Sequence, residues 1–169
     1  AYAGDALLVL VPRHPERFQA AFSQAQNLGY TVQKRSDEQA VHPDTQVWIG
    51  DSMGELFAYY LAADIAFVGG SLVDTGCQNI IEPMACGLPT LFGHSTFNFA
   101  QACADAVTAG AACQVSSADM WYQTVHAWLA QPALCQPYRQ QARAFVAQHQ
   151  GASERMAAAI AATVAESVA

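Results

Sequence analysis

The chain has 169 residues, of which 53% are hydrophobic and only 12% are charged. This is enough apolar material for a folded core, and the composition excludes an intrinsically disordered segment. The net charge is −7 and Lys34 is the only lysine, which excludes an extended surface for nucleic acid or an anionic membrane. The length fits one domain, or one half of a two-domain enzyme.

Five cysteines occur without a CxxC pair and without zinc-ligand spacing. We predict that they are reduced, mostly buried thiols of a cytosolic protein. No apolar run approaches the roughly 18 residues of a membrane span, and no signal peptide is present. Because the first residues enter a predicted strand almost at once, we interpret the chain as a fragment cut just before a domain begins.

Short apolar runs alternate with helical patterns along the whole chain. The first run, residues 6–11, is continuously apolar and is typical of a strand buried on both faces. This alternation predicts an α/β fold, a doubly wound parallel sheet of about six strands, in one domain over residues 1–169. The predicted strands are 6–11, 31–35, 46–50, 65–70, 89–93 and 113–116, and the predicted helices are 15–29, 54–63, 79–87, 99–111, 118–131, 137–151 and 152–169.

The C-terminal part of the chain, residues 118–169, is predicted to be entirely helical. In its last helix an apolar residue recurs every fourth position, which produces a narrow stripe that needs a packing partner. The stripe consists of Met156, Ile160, Val164 and Val168.

Ligands of parallel sheets bind beyond the carboxyl ends of the strands, so the loops at those ends are the candidate site. Arg13 follows the first strand and offers a guanidinium for a phosphate or carboxylate; the alternative is a surface ion pair. After the third strand, Ser52 and Glu55 have the spacing of a capping box, and Gly54 allows a ligand to approach the backbone.

The fourth strand ends in two adjacent glycines, Gly69 and Gly70, which allow a sharp turn with exposed amides. The segment is neither a GxGxxG fingerprint nor a GxxxxGK[ST] loop, so dinucleotide and ATP sites are not indicated. A helix is predicted to begin near Asn79, and its first turn favours a phosphate. Glu82, about one turn in, suits two vicinal hydroxyls such as those of a ribose; the alternative is complementation of the helix dipole.

These loops together resemble those of 3-deoxy-D-manno-octulosonic acid (Kdo) transferase, in its C-terminal domain. The resemblance rests on "LVPRHPERF", "GDSMGEL", "ADIAFVGGSLV", "NIIEPMACGLP" and "TFNF" and spans about residues 7–151. It implies the Rossmann-like C-terminal half of a GT-B glycosyltransferase, which binds the CMP of CMP-Kdo. It also implies that Kdo is transferred to the lipid A precursor of lipopolysaccharide, at the cytoplasmic face of the inner membrane.

Carried onto this chain, the resemblance assigns residues but no catalytic group. The general base and the acceptor site are expected in an N-terminal domain, which would also carry the membrane association. No metal and no cofactor are implied. The expected CMP contacts are Pro12, Arg13, Met53, Gly54, Glu55, Asn79, Ile80, Ile81 and Glu82, and the further candidate contacts to the donor are Gly69, Gly70, Ser71 and Gln78.

The chain departs from the family pattern within its most informative segment. The family reads G-G-H-N-P-L-E where this chain has "GCQNIIE", and G-P-H-T-F-N-F where it has "GHSTFNF". Asn79 and Glu82 are retained, so the nucleotide contacts are expected to persist, and Gln78 is given no catalytic role. The alternatives are another GT-B enzyme, such as a UDP-sugar transferase or epimerase, and a non-catalytic Rossmann-like binding module.

Overall fold

The structure is a computed structural model that describes residues 6–149, 156, 157 and 160. The chain divides into two compact units, Ala1–Ala63 and Asp64–Ala169. The six predicted strands are all found among the described residues, each with three residues. The last of them begins at Ala112, one residue before its predicted start. The predicted α/β class with parallel strands is confirmed. The strands form two three-stranded sheets, since backbone pairing joins the first three strands to one another and the last three to one another.

The first unit contains β1 (Leu8–Leu10), β2 (Val32–Lys34) and β3 (Val47–Ile49), in the order β1-β3-β2. The predicted first helix begins as a 3-10 turn, Pro15–Arg17, and continues as α1 (Phe18–Asn27). The second helix is α2 (Leu56–Ala62). One face of α1 packs on the sheet through a small core that comprises Ala21, Phe22, Ala25, Val32, Val47 and Ile49.

The prediction that the first strand is buried on both faces is wrong. Leu8 and Leu10 are 49% and 38% exposed. They are paired with Val47 and Ile49, so the four side chains share one face of the parallel sheet. The core beneath α1 comprises residues of β2 and β3. The helix therefore covers the central strand and one edge, and leaves the β1 edge open.

The second unit contains β4 (Ala66–Val68), β5 (Thr90–Phe92) and β6 (Ala112–Gln114), in the order β4-β5-β6. Its helices among the described residues are α3 (Ile81–Ala85), α4 (Ala100–Thr108), α5 (Ala118–Ala130) and α6 (Gln136–His149). The four helices predicted between residues 79 and 149 are thus confirmed. The first three are shorter than predicted, and α6 begins one residue earlier than predicted. Ser117 caps α5 by accepting a hydrogen bond from the Met120 amide.

Helices cover both faces of this second sheet, as a doubly wound arrangement requires. On one face Val68, Phe92 and Ala112 belong to a cluster with residues of α3, α4 and α6, including Met84, Cys103, Ala106, Ala142 and Phe145. On the other face Leu91 packs with side chains of α5, namely Trp121, Val125 and Trp128.

All five cysteines are free, and three of them are buried, namely Cys77, Cys103 and Cys135. The prediction of mostly buried thiols is confirmed. Most of the last predicted helix lies outside the described residues, and within it Met156 and Ile160 are exposed. No helix of the described segments has the length and apolarity needed to cross a membrane.

Candidate nucleotide-binding site

Two of the predicted loops follow neighbouring strands in the first unit. Pro12 and Arg13 come shortly after β1, and Met53 to Glu55 follow β3, which is paired with β1. Since parallel strands end at the same edge of a sheet, this places the two loops side by side. The Arg13 side chain is exposed and forms no ion pair among the described residues. The surface ion pair considered from sequence is therefore not observed.

The loop after β3 does not form the predicted capping box. Helix α2 begins at Leu56, and no side chain caps it. Gly54 adopts φ +80°, a left-handed conformation that interrupts the helix between Ser52 and Leu56. A Cβ at Gly54 would meet no atom within 4 Å. The glycine thus sets the turn and leaves open space beside the backbone, and Met53 is 65% exposed next to it.

Two carboxylates of these loops already accept hydrogen bonds. Arg35 Nη2 lies 3.2 Å from Glu55 Oε1. A hydrogen bond from Ser52 lowers the pKa of Glu55, burial opposes this, and the hydrogen bond from Arg35 adds to it. Burial tends to raise the pKa of Asp51, but hydrogen bonds from the Ser36 hydroxyl and amide outweigh it and lower that pKa.

These lowered pKa values predict a loss of stability in acid. A carboxyl with a lower pKa in the folded chain than in the unfolded chain contributes stability above its ordinary pKa. That contribution disappears as the pH falls through the ordinary values of 3.8 for Asp51 and 4.5 for Glu55 toward the lower folded ones. We expect Ser36→Ala to reduce the free energy of unfolding at pH 7 and to have little effect at pH 3, as measured by urea unfolding.

A matched control for this variant is Ser116→Ala. The Ser116 hydroxyl is exposed and contacts the sulfur of Met120 at 3.7 Å, with no carboxylate involved. Its effect should be small and the same at both pH values. An equal loss for Ser36→Ala at pH 7 and pH 3 would contradict the assigned role of Asp51.

The loop after β4 opens with glycines in distinct roles. Gly70 has φ +78°, and a Cβ there would lie 2.5 Å from the Gly76 carbonyl oxygen, so only glycine fits. Gly69 is exposed, and a Cβ there would meet nothing within 4 Å. Gly69 is therefore accessible to a ligand, whereas Gly70 closes the turn.

Ser71 does not present its side chain to a ligand, in contrast to its prediction as a donor contact. It is fully buried, its Oγ donates to the Val68 carbonyl at 2.6 Å, and it accepts from the Gly93 amide at 2.7 Å. Its carbonyl accepts from the Ser95 amide at 2.8 Å. Ser71 thus fastens the ends of β4 and β5 together, a role that a strand-end serine does not reveal in sequence.

The departures from the family pattern are explained largely by packing. Cys77 and Ile80 are both fully buried in the core cluster of the second unit. Because the Ile80 side chain lies in the core, only the backbone of Ile80 could make the predicted contact with CMP. Ile81 is half-buried and also packs against the cluster. Gln78 is half-buried outside this core.

Asn79 and Glu82 provide the polar groups at the start of α3. The side-chain oxygen Oδ1 of Asn79 accepts a hydrogen bond from the Ile81 amide at 3.0 Å, which sets the turn into the helix. Glu82 is half-buried in the first helical turn, and its carboxylate has no ion pair or hydrogen bond among the described residues. A half-buried carboxylate without a protein partner is suited to accept from ligand hydroxyls.

The loop after β5 is largely structural. Ser95 is buried, and its Oγ accepts from the Gly76 amide at 3.2 Å. His94 is exposed, with its Nε2 3.9 Å from a carboxylate oxygen of Asp74. Phe99 packs against the core cluster, whereas Phe97 is 65% exposed.

Two residues of the first unit that lie near the candidate site were not predicted from sequence. Arg35 directly follows β2 and donates a hydrogen bond to Glu55. Trp48 lies on β3, and its ring contacts the ring of Tyr59 in an edge-on arrangement. The criterion that selected Arg13, a guanidinium just beyond a strand end, also applies to Arg35. No group of three or more His, Cys, Asp or Glu residues with the geometry of a metal site occurs in the described part of the chain.

An α/β domain with parallel strands and glycines in the loops at their carboxyl ends is a Rossmann-like domain. The family model "Glycosyl transferases group 1" matches residues 26–145. The chain therefore belongs to the group 1 glycosyl transferases.

Named relatives identify a narrower resemblance. The chain is 43% identical to the 3-deoxy-D-manno-octulosonic acid transferase of Bordetella pertussis over an alignment of 152 residues. This alignment covers 88% of this chain and 35% of that protein. It is also 48% identical to the Haemophilus influenzae enzyme of the same name over 93 residues. This second alignment covers 55% of this chain and 22% of the relative. The chain thus spans about a third or less of these relatives, and the resemblance to Kdo transferases is confirmed.

A solved structure supports the same relationship. The crystal structure of the C-terminal CMP-Kdo binding domain of WaaA from Acinetobacter baumannii superposes with a TM-score of 0.79 at 37% identity. The match covers 83% of this chain and 73% of that chain. The predicted fold, the C-terminal half of a GT-B enzyme, is confirmed.

Proposed function

We propose that this chain is the donor-binding domain of a Kdo transferase and that it binds CMP-Kdo. The observation that carries the proposal is the 37% identical structural match, over 83% of this chain, to a domain described as CMP-Kdo binding. The parent enzyme would transfer Kdo to the lipid A precursor in lipopolysaccharide biosynthesis, at the cytoplasmic face of the inner membrane. The acceptor site, the general base and the membrane association would belong to other parts of that enzyme.

The chemistry of the loops supports a nucleoside monophosphate. One phosphate requires one guanidinium and backbone amides. The exposed Arg13, which forms no ion pair with any residue that the structure describes, supplies the guanidinium. The carboxylate of Glu82 would accept from the two ribose hydroxyls, and Asn79 would orient the turn that holds it. The accessible backbones of Gly54 and Gly69 allow a ligand to lie close to the chain. Metal-independent binding is part of the proposal.

Calorimetric titration of this chain with CMP, UMP, AMP and NAD tests the proposal. We expect CMP to bind most tightly, because the donor is a CMP-sugar. Arg13→Ala should weaken CMP binding by about tenfold, the loss of one charge-assisted contact. Arg143→Ala, in α6 of the second unit, is the matched control and should leave the affinity unchanged.

Other outcomes of the same titration favour the alternatives. A clear preference for UMP would indicate a UDP-sugar enzyme of the same fold. Equal indifference to all four nucleotides would favour a non-catalytic module. Either result would contradict binding of CMP-Kdo by this chain.

A further inference from the structure

The loop after β4, residues 69–78, closes on itself. At its base the Gln78 amide donates a hydrogen bond to the Gly69 carbonyl at 3.4 Å. Among the proposed donor contacts, Gly69 lies at this base, and Asn79 and Glu82 follow shortly after it. The conformation of this loop therefore decides where these contacts lie relative to one another.

A second loop, residues 93–98 after β5, is bonded to the first part of this loop through Ser71. The Gly93 amide donates to Ser71 Oγ at 2.7 Å, and the Ser95 amide donates to the Ser71 carbonyl at 2.8 Å. Because β4 and β5 are neighbouring strands, these bonds lie where the sheet itself already holds the two chains together.

The far part of the loop after β4, at Thr75 and Gly76, lies outside the strands and is held by two side chains of the loop after β5. The Gly76 amide donates to Ser95 Oγ at 3.2 Å, and Asn98 Nδ2 donates to the Thr75 carbonyl at 3.3 Å. The approach is close, since a Cβ at Gly76 would collide with the Asn98 side-chain amide and would lie 2.9 Å from Phe97 Cζ. Ser95 and Asn98 thus hold the backbone that leads into the turn before α3.

Such contacts affect binding because a loop that is already ordered loses less conformational entropy when a ligand binds. A ligand binds only those molecules whose loop has the competent conformation, so its apparent affinity falls in proportion to that fraction. Ser95 and Asn98 bond to the loop at Gly76 and Thr75, which are not among the proposed contacts. Their side chains therefore act on a ligand through the backbone of the loop.

We propose that Ser95 and Asn98 are positioning residues for the donor nucleotide, which hold residues 69–78 in the conformation that binds it. The inference rests on the proposed function, since it names the side chains that arrange the second unit's share of that site. It assigns to the loop after β5 a role in binding that is exerted without contact to the ligand.

Titration calorimetry of this chain with CMP provides the first test. Asn98→Ala should weaken CMP binding by about fivefold, the loss of one neutral hydrogen bond. Because Asn98 is exposed, the variant should have the same midpoint of urea unfolding as the unmodified chain. Gln101→Ala is the matched control and should leave the affinity unchanged, because the exposed Gln101 amide donates to Asp105 within α4 at 2.9 Å.

The second test is the hydrogen exchange of the Gly76 amide, followed by NMR with and without CMP. In the free chain this amide should exchange at least about fivefold faster in Asn98→Ala than in the unmodified chain, because the loop opens more often. Saturating CMP should remove the difference, since it selects the closed loop. Ser95→Ala, which removes the acceptor of the Gly76 amide, should change affinity and exchange in the same direction.

The outcomes separate this inference from the proposed function. Unchanged CMP affinity in Asn98→Ala would overturn the inference alone. Weaker affinity with unchanged Gly76 exchange would also overturn it, because Asn98 would then act by direct contact with the nucleotide. Faster exchange that persists with CMP bound would show a purely structural role and would overturn it too. Failure of the unmodified chain to bind CMP would overturn the proposed function as well.

Discussion

Replacement of Gly93 by alanine is expected to lower the free energy of unfolding by about 3 kcal/mol, near the upper end of the range for overpacking. A Cβ at this position would collide with the carbonyl group of Ser71 and would lie 2.7 Å from the Leu72 amide nitrogen. All of these are backbone atoms, so no side-chain rotation relieves the contact. The Gly93 amide also donates to Ser71 Oγ, and the displacement would strain that bond.

Thermal and urea unfolding measure this effect. For a chain of this length, about 3 kcal/mol corresponds to a fall in Tm of about 6–12 °C. Gly69→Ala is the matched control, because a Cβ at Gly69 meets nothing within 4 Å and its φ is not positive. Equal stability of the two variants would contradict this prediction, because it would mean that the backbone of Ser71 and Leu72 shifts at little cost to accommodate the Cβ.

Replacement of Glu82 by glutamine is expected to weaken CMP binding to this chain by about tenfold to a hundredfold, the range for a hydrogen bond to a charged group. The carboxylate has no partner in the described part of the chain, so its removal should change the free energy of unfolding by less than about 0.5 kcal/mol. Titration calorimetry and urea unfolding of the same samples separate the two effects.

The control for Glu82 is a carboxylate in an equivalent position of another helix. Asp119 lies in the first turn of α5, as Glu82 lies in the first turn of α3. Asp119→Asn should leave CMP affinity unchanged. If Glu82→Gln also leaves it unchanged and both variants lose a few tenths of a kcal/mol in stability, Glu82 acts only on the helix dipole.

Much of the fold could be predicted because its signals are local. Each apolar run produced a strand, and Gly29 and Gly110 follow the ends of α1 and α4 with positive φ. The exposure of β1 could not be predicted, because it depends on which strands α1 covers after the chain turns back. The division of the strands into two sheets likewise depends on pairing between distant segments.

The candidate site was predictable where a charged residue directly follows a strand or lies at the start of a helix. Arg13 was selected as a cation just beyond a strand end and Glu82 as an anion in the first turn of a helix. Neither side chain forms an ion pair within the described segments. Ser52 does not cap α2, and the Ser71 side chain is occupied within the protein. The Ser52 hydroxyl meets Tyr59, and Ser71 meets the distant Gly93. The Ser71 contact joins residues 22 positions apart, so spacing along the chain does not reveal it.

The pair of buried thiols, Cys77 and Cys103, gives the second unit a built-in reporter of local opening. Burial, together with the neighbouring Cys103, raises the pKa of Cys77 to about 12, so almost none of it is thiolate at neutral pH. An alkylating reagent should therefore modify Cys77 only when the segment between β4 and α3 detaches from the core. The rate of its labelling, followed by mass spectrometry, would measure how often that segment opens. A ligand that binds the same segment should slow the labelling in proportion to its occupancy.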